Sequence, residues 1–135
     1  MDRPLPVPQV VVPIDYRVRH RNRPRNQDCY LNAANYAIRS LDLPGVRVVH
    51  GTYRGGLNHA WAEIDLGDSV VVFDPNWRTF HDREVWRVAV MAVEEKSFTP
   101  HEVCLNVSAS RHTGPWEAWE TWEAVGPGET ESNRG

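Results

Sequence analysis

The chain has 135 residues and a mass of 15.5 kDa, enough for one domain. Its 41% hydrophobic and 24% charged residues exclude a wholly disordered or collagen-like chain. A formal net charge of −3 gives no global basis for nucleic-acid binding, and no apolar run approaches the ~20 residues of a membrane helix. The start, Met1-Asp2-Arg3-Pro4, has no charged region followed by an apolar one, so no secretory signal is expected. Cys29 and Cys104 form no CxxC pair, which excludes a zinc ribbon. Free thiols in a reducing, cytoplasmic compartment are expected.

Charge is uneven along the chain. Residues 1–28 carry six arginines against three aspartates, and residues 113–135 carry five glutamates against one arginine. Both ends read as solvated surface. A sharper reading has the basic stretch Arg17–Arg25 steering an acidic partner, although it lacks the interleaved aromatics of a single-strand nucleic-acid platform.

The three prolines of residues 1–8 predict an extended start. Gln9–Val12 reads as a short strand ending at Pro13, and Arg17–Asn26 as a polar loop broken by Pro24. A helix is expected from Cys29 to about Leu41, capped by Asp28 or Asn26, with Leu31, Ala34, Ile38 and Leu41 as its apolar stripe. Leu43-Pro44-Gly45 stops it. Val46–Tyr53 is rich in β-branched residues and reads as a strand ending at Gly55-Gly56.

His59–Leu66 and Ser69–Phe73 form the clearest hairpin, turned by Gly67-Asp68. If Leu66 pairs with Ser69, Ile64 faces Val71 and Ala62 faces Phe73, one coherent apolar face. His59, Trp61, Glu63, Val70, Val72 and Asp74 then share the opposite face. Trp86–Val93, partly alternating, reads as a further strand. Thr99-Pro100-His101-Glu102 is a capping-box pattern that opens a helix through about Ala109. Trp116, Trp119 and Trp122, spaced by three within acidic residues, read as a short helix docked on the body or binding a partner, with a disordered end after it.

Cys29 would sit in the first turn of a helix, where unpaired N–H groups and the helix dipole favour a thiolate. A nucleophilic thiol needs a base in reach, and His59 begins a strand after the flexible Gly55-Gly56-Leu57-Asn58. A base works best when a third group holds its ring. The hairpin register makes Asp74 the diagonal neighbour of His59 on the same face, ~7–8 Å away between Cα atoms. Asp65 shares that face but lies about 20 Å along the strand. Taken singly, Cys29 could equally be a small buried hydrophobe and His59 an ordinary strand-edge histidine. Cys104 reads as a buried helix thiol, and Glu63 as exposed on its strand. No spacing suits a metal, and there is no GxGxxG or GxxxxGK[ST], so no cofactor is expected.

At these residues the chain resembles a family. Asn26-Gln27-Asp28-Cys29-Tyr30-Leu31-Asn32-Ala33 is similar to the nucleophile helix of transglutaminase-like enzymes, a branch of the papain-like cysteine enzymes. Leu43–Gly51 resembles their helix-to-strand segment, Asn58-His59-Ala60-Trp61-Ala62-Glu63-Ile64 their histidine strand, and Phe73-Asp74-Pro75 their aspartate strand. Histidine follows cysteine by 30 residues and aspartate follows histidine by 15, as in the family. The likeness spans about Gln27–Trp77. Asp28 stands where the family usually has tryptophan or glycine.

The resemblance implies an α+β papain-like core, with the nucleophile helix packed on an antiparallel sheet. Residues 1–112 would form one transglutaminase-like domain with a basic N-terminal extension, and residues 113–135 an acidic tail. It implies acyl transfer on a peptide, isopeptide or related amide: Cys29 attacks, His59 moves the proton and Asp74 orients His59. Gln27 would add an oxyanion donor to the Cys29 N–H, and Trp61 would wall the site or stack on substrate. Protein or peptide substrates are the expected partners, without nucleic acid or membrane. The alternative is a catalytically silent binding or inhibitor module on the same fold.

Overall fold

Alternation sets the architecture. In the central strand, Ala60, Ala62 and Ile64 point to one side and His59, Trp61 and Glu63 to the other, and all six are buried. A strand buried on both faces needs cover on both. The computed structural model describes residues 7–19 and 28–116. It contains α1 (Ile14–Arg17), α2 (Cys29–Arg39), β1 (Val46–Tyr53), β2 (Leu57–Asp65), β3 (Val70–Asp74), β4 (Thr79–Asp82), α3 (Arg83–Val90), β5 (Val93–Phe98) and α4 (Pro100–Ser110). The five strands form one antiparallel sheet in the order β4-β3-β2-β1-β5.

Helices α2 and α4 cover one face, where Ala33, Ala34, Ala37 and Val103 meet Val48, Ala60 and Phe98. Tyr36 extends this layer onto Ala62, Ile64, Val71 and Phe73. Helix α3 covers the other face, packing Trp86 and Val90 on Val49, Trp61 and Val72. The fold is therefore α+β, an antiparallel sheet with helices on both sides.

The hairpin register is the expected one: Ala62 pairs with Phe73 and Ile64 with Val71, and the Leu66 N–H donates to the Ser69 carbonyl at 2.9 Å. The capping box is complete, with Thr99 Oγ1 accepting from the Glu102 N–H and Glu102 Oε1 from the Thr99 N–H.

Several expectations are corrected. Trp86–Val93 is not a strand. Its first five residues belong to α3, whose Asp82 cap accepts from the Val85 N–H and whose Trp86 and Val90, four apart, share the buried side. Met91 then takes a left-handed conformation and ends the helix. The stripe expected on α2 is also displaced, since Ile38 and Leu41 are exposed while Ala33, Ala34, Tyr36 and Ala37 are buried. Gln9–Val12 forms no strand, although the Val10 N–H donates to the Phe80 carbonyl at the sheet edge. Within the basic stretch, Arg19 folds back on the chain, donating to the Asp42 carboxylate and to the Arg39 carbonyl. Arg21, Arg23 and Arg25 lie outside the described residues, as do Trp119 and Trp122. Trp116 is buried, in no helix. Among the described residues no helix is long and apolar enough to cross a membrane.

Gly51 is required by close approach. Between His50 and Gly51 the pairing of β1 with β5 shifts register, and a Cβ on Gly51 would lie 2.0 Å from the Val93 carbonyl oxygen. Gly51→Ala must push β5 away from β1. We expect it to cost about 3 kcal/mol of stability in urea denaturation, as overpacking against backbone does.

Candidate active site

The site is assembled from two sequence-distant pieces that local chemistry aims at each other. Asp28 is the N-cap of α2, its carboxylate accepting from the Leu31 N–H at 3.1 Å, so Cys29 is the first helical residue. His59 stands near the start of β2 and Asp74 at the end of β3. The hairpin register sets them diagonally, and His59 Nε2 lies 3.7 Å from Asp74 Oδ1. Both side chains are almost completely buried, whereas Cys29 is half-buried. Cys29 is thus the most exposed of the three residues.

His59 is the joint. Burial alone would lower its proton affinity, but the neighbouring Asp74 carboxylate and Cys29 thiol outweigh this and raise its pKa from 6.5 to about 9. Nε2 is the ring nitrogen that faces the Asp74 carboxylate. The 3.7 Å separation is longer than a formed hydrogen bond, and His59 Nε2 and Asp74 Oδ2 are both buried without a hydrogen-bond partner. A small closure between Nε2 and Oδ1 would give the ring nitrogen its partner, as catalytic hydrogen bonds often tighten only when substrate binds.

Neighbours hold each member in place. Tyr53 stacks on the His59 ring with centroids 3.9 Å apart and planes 3° from parallel. Asp74 Oδ1 accepts from the Asn76 N–H at 3.2 Å, and Asn76 Oδ1 accepts from Asn32 Nδ2 at 3.2 Å. Asn32 is three residues after Cys29, so this bridge ties the nucleophile helix to the aspartate loop. Tyr53 and the Asn32–Asn76 bridge escape sequence reasoning. The only available signal is the position of Asn32, near one helical turn from Cys29.

Trp61 is fully buried, packed against His59 and Trp86 with centroids 5.9 and 5.1 Å away. It is a wall behind the imidazole and has no surface to stack on a substrate. Glu63 is buried, not exposed on its strand as expected. It accepts from Trp61 Nε1 at 3.0 Å, from Arg47 at 2.7 Å and from Arg87 at 3.0 Å. Burial opposes its ionisation, but the bonds to Trp61 and Arg47 prevail and hold its pKa below the ordinary carboxylate value. Cys104 is half-buried on α4 and outside the cluster. Gln27 lies outside the described residues. Among the described residues, no group of three histidine, cysteine or acidic side chains is placed to hold a metal ion.

Comparison with protein-family models, curated proteins and solved structures finds no match to this chain.

The raised pKa of His59 has a signed consequence. A group that binds its proton more tightly when folded adds stability that is complete below its unfolded pKa, near 6.5, and is lost as pH rises through the folded value, about 9. Urea denaturation should therefore show a loss of up to about 3 kcal/mol between pH 6 and pH 9.5. Asp74→Asn should flatten that slope and lower the His59 titration midpoint, read by NMR.

Proposed function

We propose that the protein is a cysteine-dependent acyl-transfer enzyme, acting on a peptide, isopeptide or related amide bond. The observation that carries the reading is the buried His59 imidazole, which faces Asp74 and whose proton affinity both the Asp74 carboxylate and the Cys29 thiol raise. The order of the three residues, the His-Ala-Trp-Ala-Glu strand and the antiparallel sheet beneath the cysteine helix are consistent with a transglutaminase-like, papain-like core.

In the first step the Cys29 sulfur attacks the amide carbonyl, and the carbonyl oxygen takes up negative charge. The backbone N–H of Cys29 belongs to the first helical turn, whose donors have no partner within the helix, and it supplies an oxyanion contact. His59 carries the thiol proton and delivers it to the departing amine, leaving a thioester on Cys29. In the second step His59 takes a proton from water, the hydroxide attacks the thioester, and the carboxylic acid leaves as the thiol is restored. Asp74 holds the ring and its tautomer throughout. Water completes the cycle without a bound amine, so hydrolysis is proposed over transamidation. The free thiols Cys29 and Cys104 suit a cytoplasmic location, and the partner is a protein or peptide substrate.

The test is the pH–rate profile of Cys29 alkylation by iodoacetamide, in Cys104→Ser protein with and without His59→Ala. Rapid labelling at pH 6, well below the free-thiol pKa of ~8.5, should fall at least tenfold in His59→Ala. Slow labelling with an ordinary thiol profile in both proteins would overturn the enzyme reading and favour a silent binding module.

A further inference from the structure

Half-buried arginines in this fold come with carboxylates, and Arg54 does not. Among the described residues, Arg19 pairs with Asp42, Arg47 and Arg87 with Glu63 and Glu94, and Arg83 with Glu63 and Glu84. Arg54 is half-buried too, yet no described carboxylate lies within ion-pair distance of its guanidinium.

The guanidinium is nonetheless held in one place. Its central carbon sits 5.4 Å from the centroid of the Tyr53 ring, within the ~6 Å of a cation–π contact. The Tyr53 ring lies parallel to the His59 imidazole, with centroids 3.9 Å apart. No more than those two distances laid end to end separates the guanidinium from the imidazole. Burial first, then Asp74 and lastly Cys29 raise the Tyr53 pKa, with Arg54 opposing, so the phenol stands among all three.

The backbone is fixed as well. The Arg54 N–H donates to the Val90 carbonyl at 2.6 Å, which ties the β1–β2 turn to the end of α3. Arg54 has a φ of +52°, in the left-handed region where glycine or asparagine sits with less strain. The turn needs that backbone, but it does not need an arginine. A strained position that keeps a long cationic side chain beside a reactive cluster calls for a functional reason.

The missing partner can be read from the guanidinium. It carries five N–H donors, no acceptor and a permanent positive charge. A carboxylate accepts two parallel bonds from it, a carboxamide offers a weaker neutral pairing, and an ammonium is repelled. The Asp74 carboxylate is enclosed and faces His59, which leaves Arg54 to an incoming one.

We propose that Arg54 is a specificity-determining residue that pairs with a carboxylate of the substrate, placed beside the bond that Cys29 attacks. The inference rests on the acyl-transfer reading of Cys29. The carboxylate comes from an acidic side chain or from the end of a peptide, and the same chemistry reads both.

The experiment titrates the full chain, labelled with 15N, and follows the Arg54 Nε–H by NMR. The probes are N-acetylglutamate α-amide, with a side-chain carboxylate; N-acetylglutamine, with a terminal one; N-acetylglutamine amide, their neutral counterpart; and N-acetyllysine amide. At least one carboxylate probe should shift the resonance saturably and bind at least tenfold more tightly than the neutral and cationic probes. Which of the two binds identifies the source. Arg54→Gln should erase the preference, and Arg54→Lys should keep part of it. Equal binding of the neutral probe, or no Arg54 shift with either carboxylate, overturns the proposal without requiring any variant to fold. Binding is read apart from reactivity. Selective carboxylate binding beside an ordinary Cys29 thiol profile would sink the enzyme reading and leave the carboxylate site standing. A reactive Cys29 without selective binding would sink the carboxylate site alone.

Discussion

The carboxylate of Glu63 is the constraint on which much of the structure leans. A buried, ionised carboxylate costs several kcal/mol to desolvate and survives only among well-placed partners. Arg47 comes from β1, Trp61 from β2, and Arg83 and Arg87 from α3, the last two four residues apart and so on one side of the helix. Arg47 and Arg87 also reach Glu94 on β5. The Glu63 charge therefore joins α3 to β1 and β2, and a second carboxylate, Glu94, extends the network to β5. Glu63 also holds the indole N–H of Trp61, and Trp61 in turn backs His59. The orientation of the imidazole thus depends on a charge network four residues along the same strand.

Burial divides labour within the cluster. His59 and Asp74 are enclosed, while Cys29 retains partial access. Enclosure strengthens the electrostatic interaction of the pair because little water screens it. It also raises the penalty for leaving Nε2 and Oδ2 unsatisfied. The enclosed half is braced by Tyr53 above the ring and by the Asn32–Asn76 bridge across the aspartate loop. On the acyl-transfer reading, the reactive residue is the one that meets solvent.

How much of this was legible in the sequence varies with the physics of each element. The register of the β2–β3 hairpin, though not its strand ends, was readable to the residue, because a two-sided strand pattern beside a Gly-Asp turn permits one register. The start of α2 and the whole of α4 were readable from their caps. Helix α3 was misread because Trp86–Val90 alternates locally, while its true signals are an aspartate cap and a single i,i+4 pair. Strands β4 and β5 gave no signal: β4 has four residues, and Val-Glu-Glu-Lys-Ser-Phe is an edge strand whose polar side chains face water. Cys29, His59 and Asp74 could be brought together on paper because register alone relates two of them. Glu63, Tyr53 and Asn32 could not, since their roles arise from contacts across elements that no local pattern encodes.

Of the buried alanines of α2, the expected apolar stripe included Ala34 but not Ala33 or Ala37, because hydrophobicity was the wrong property to seek. Ala33, Ala34 and Ala37 are essentially inaccessible and lie against β1 and β2. Their methyl groups act as a spacer that sets how high the helix rides above the sheet. That height fixes the gap between a sulfur carried by the helix and an imidazole carried by the sheet. A misplacement of about 1 Å at reacting atoms can cost roughly a hundredfold in rate. On the acyl-transfer reading, the reactivity of Cys29 is gauged by the smallest side chains on its helix, four to eight positions away, none of which belongs to the cluster itself.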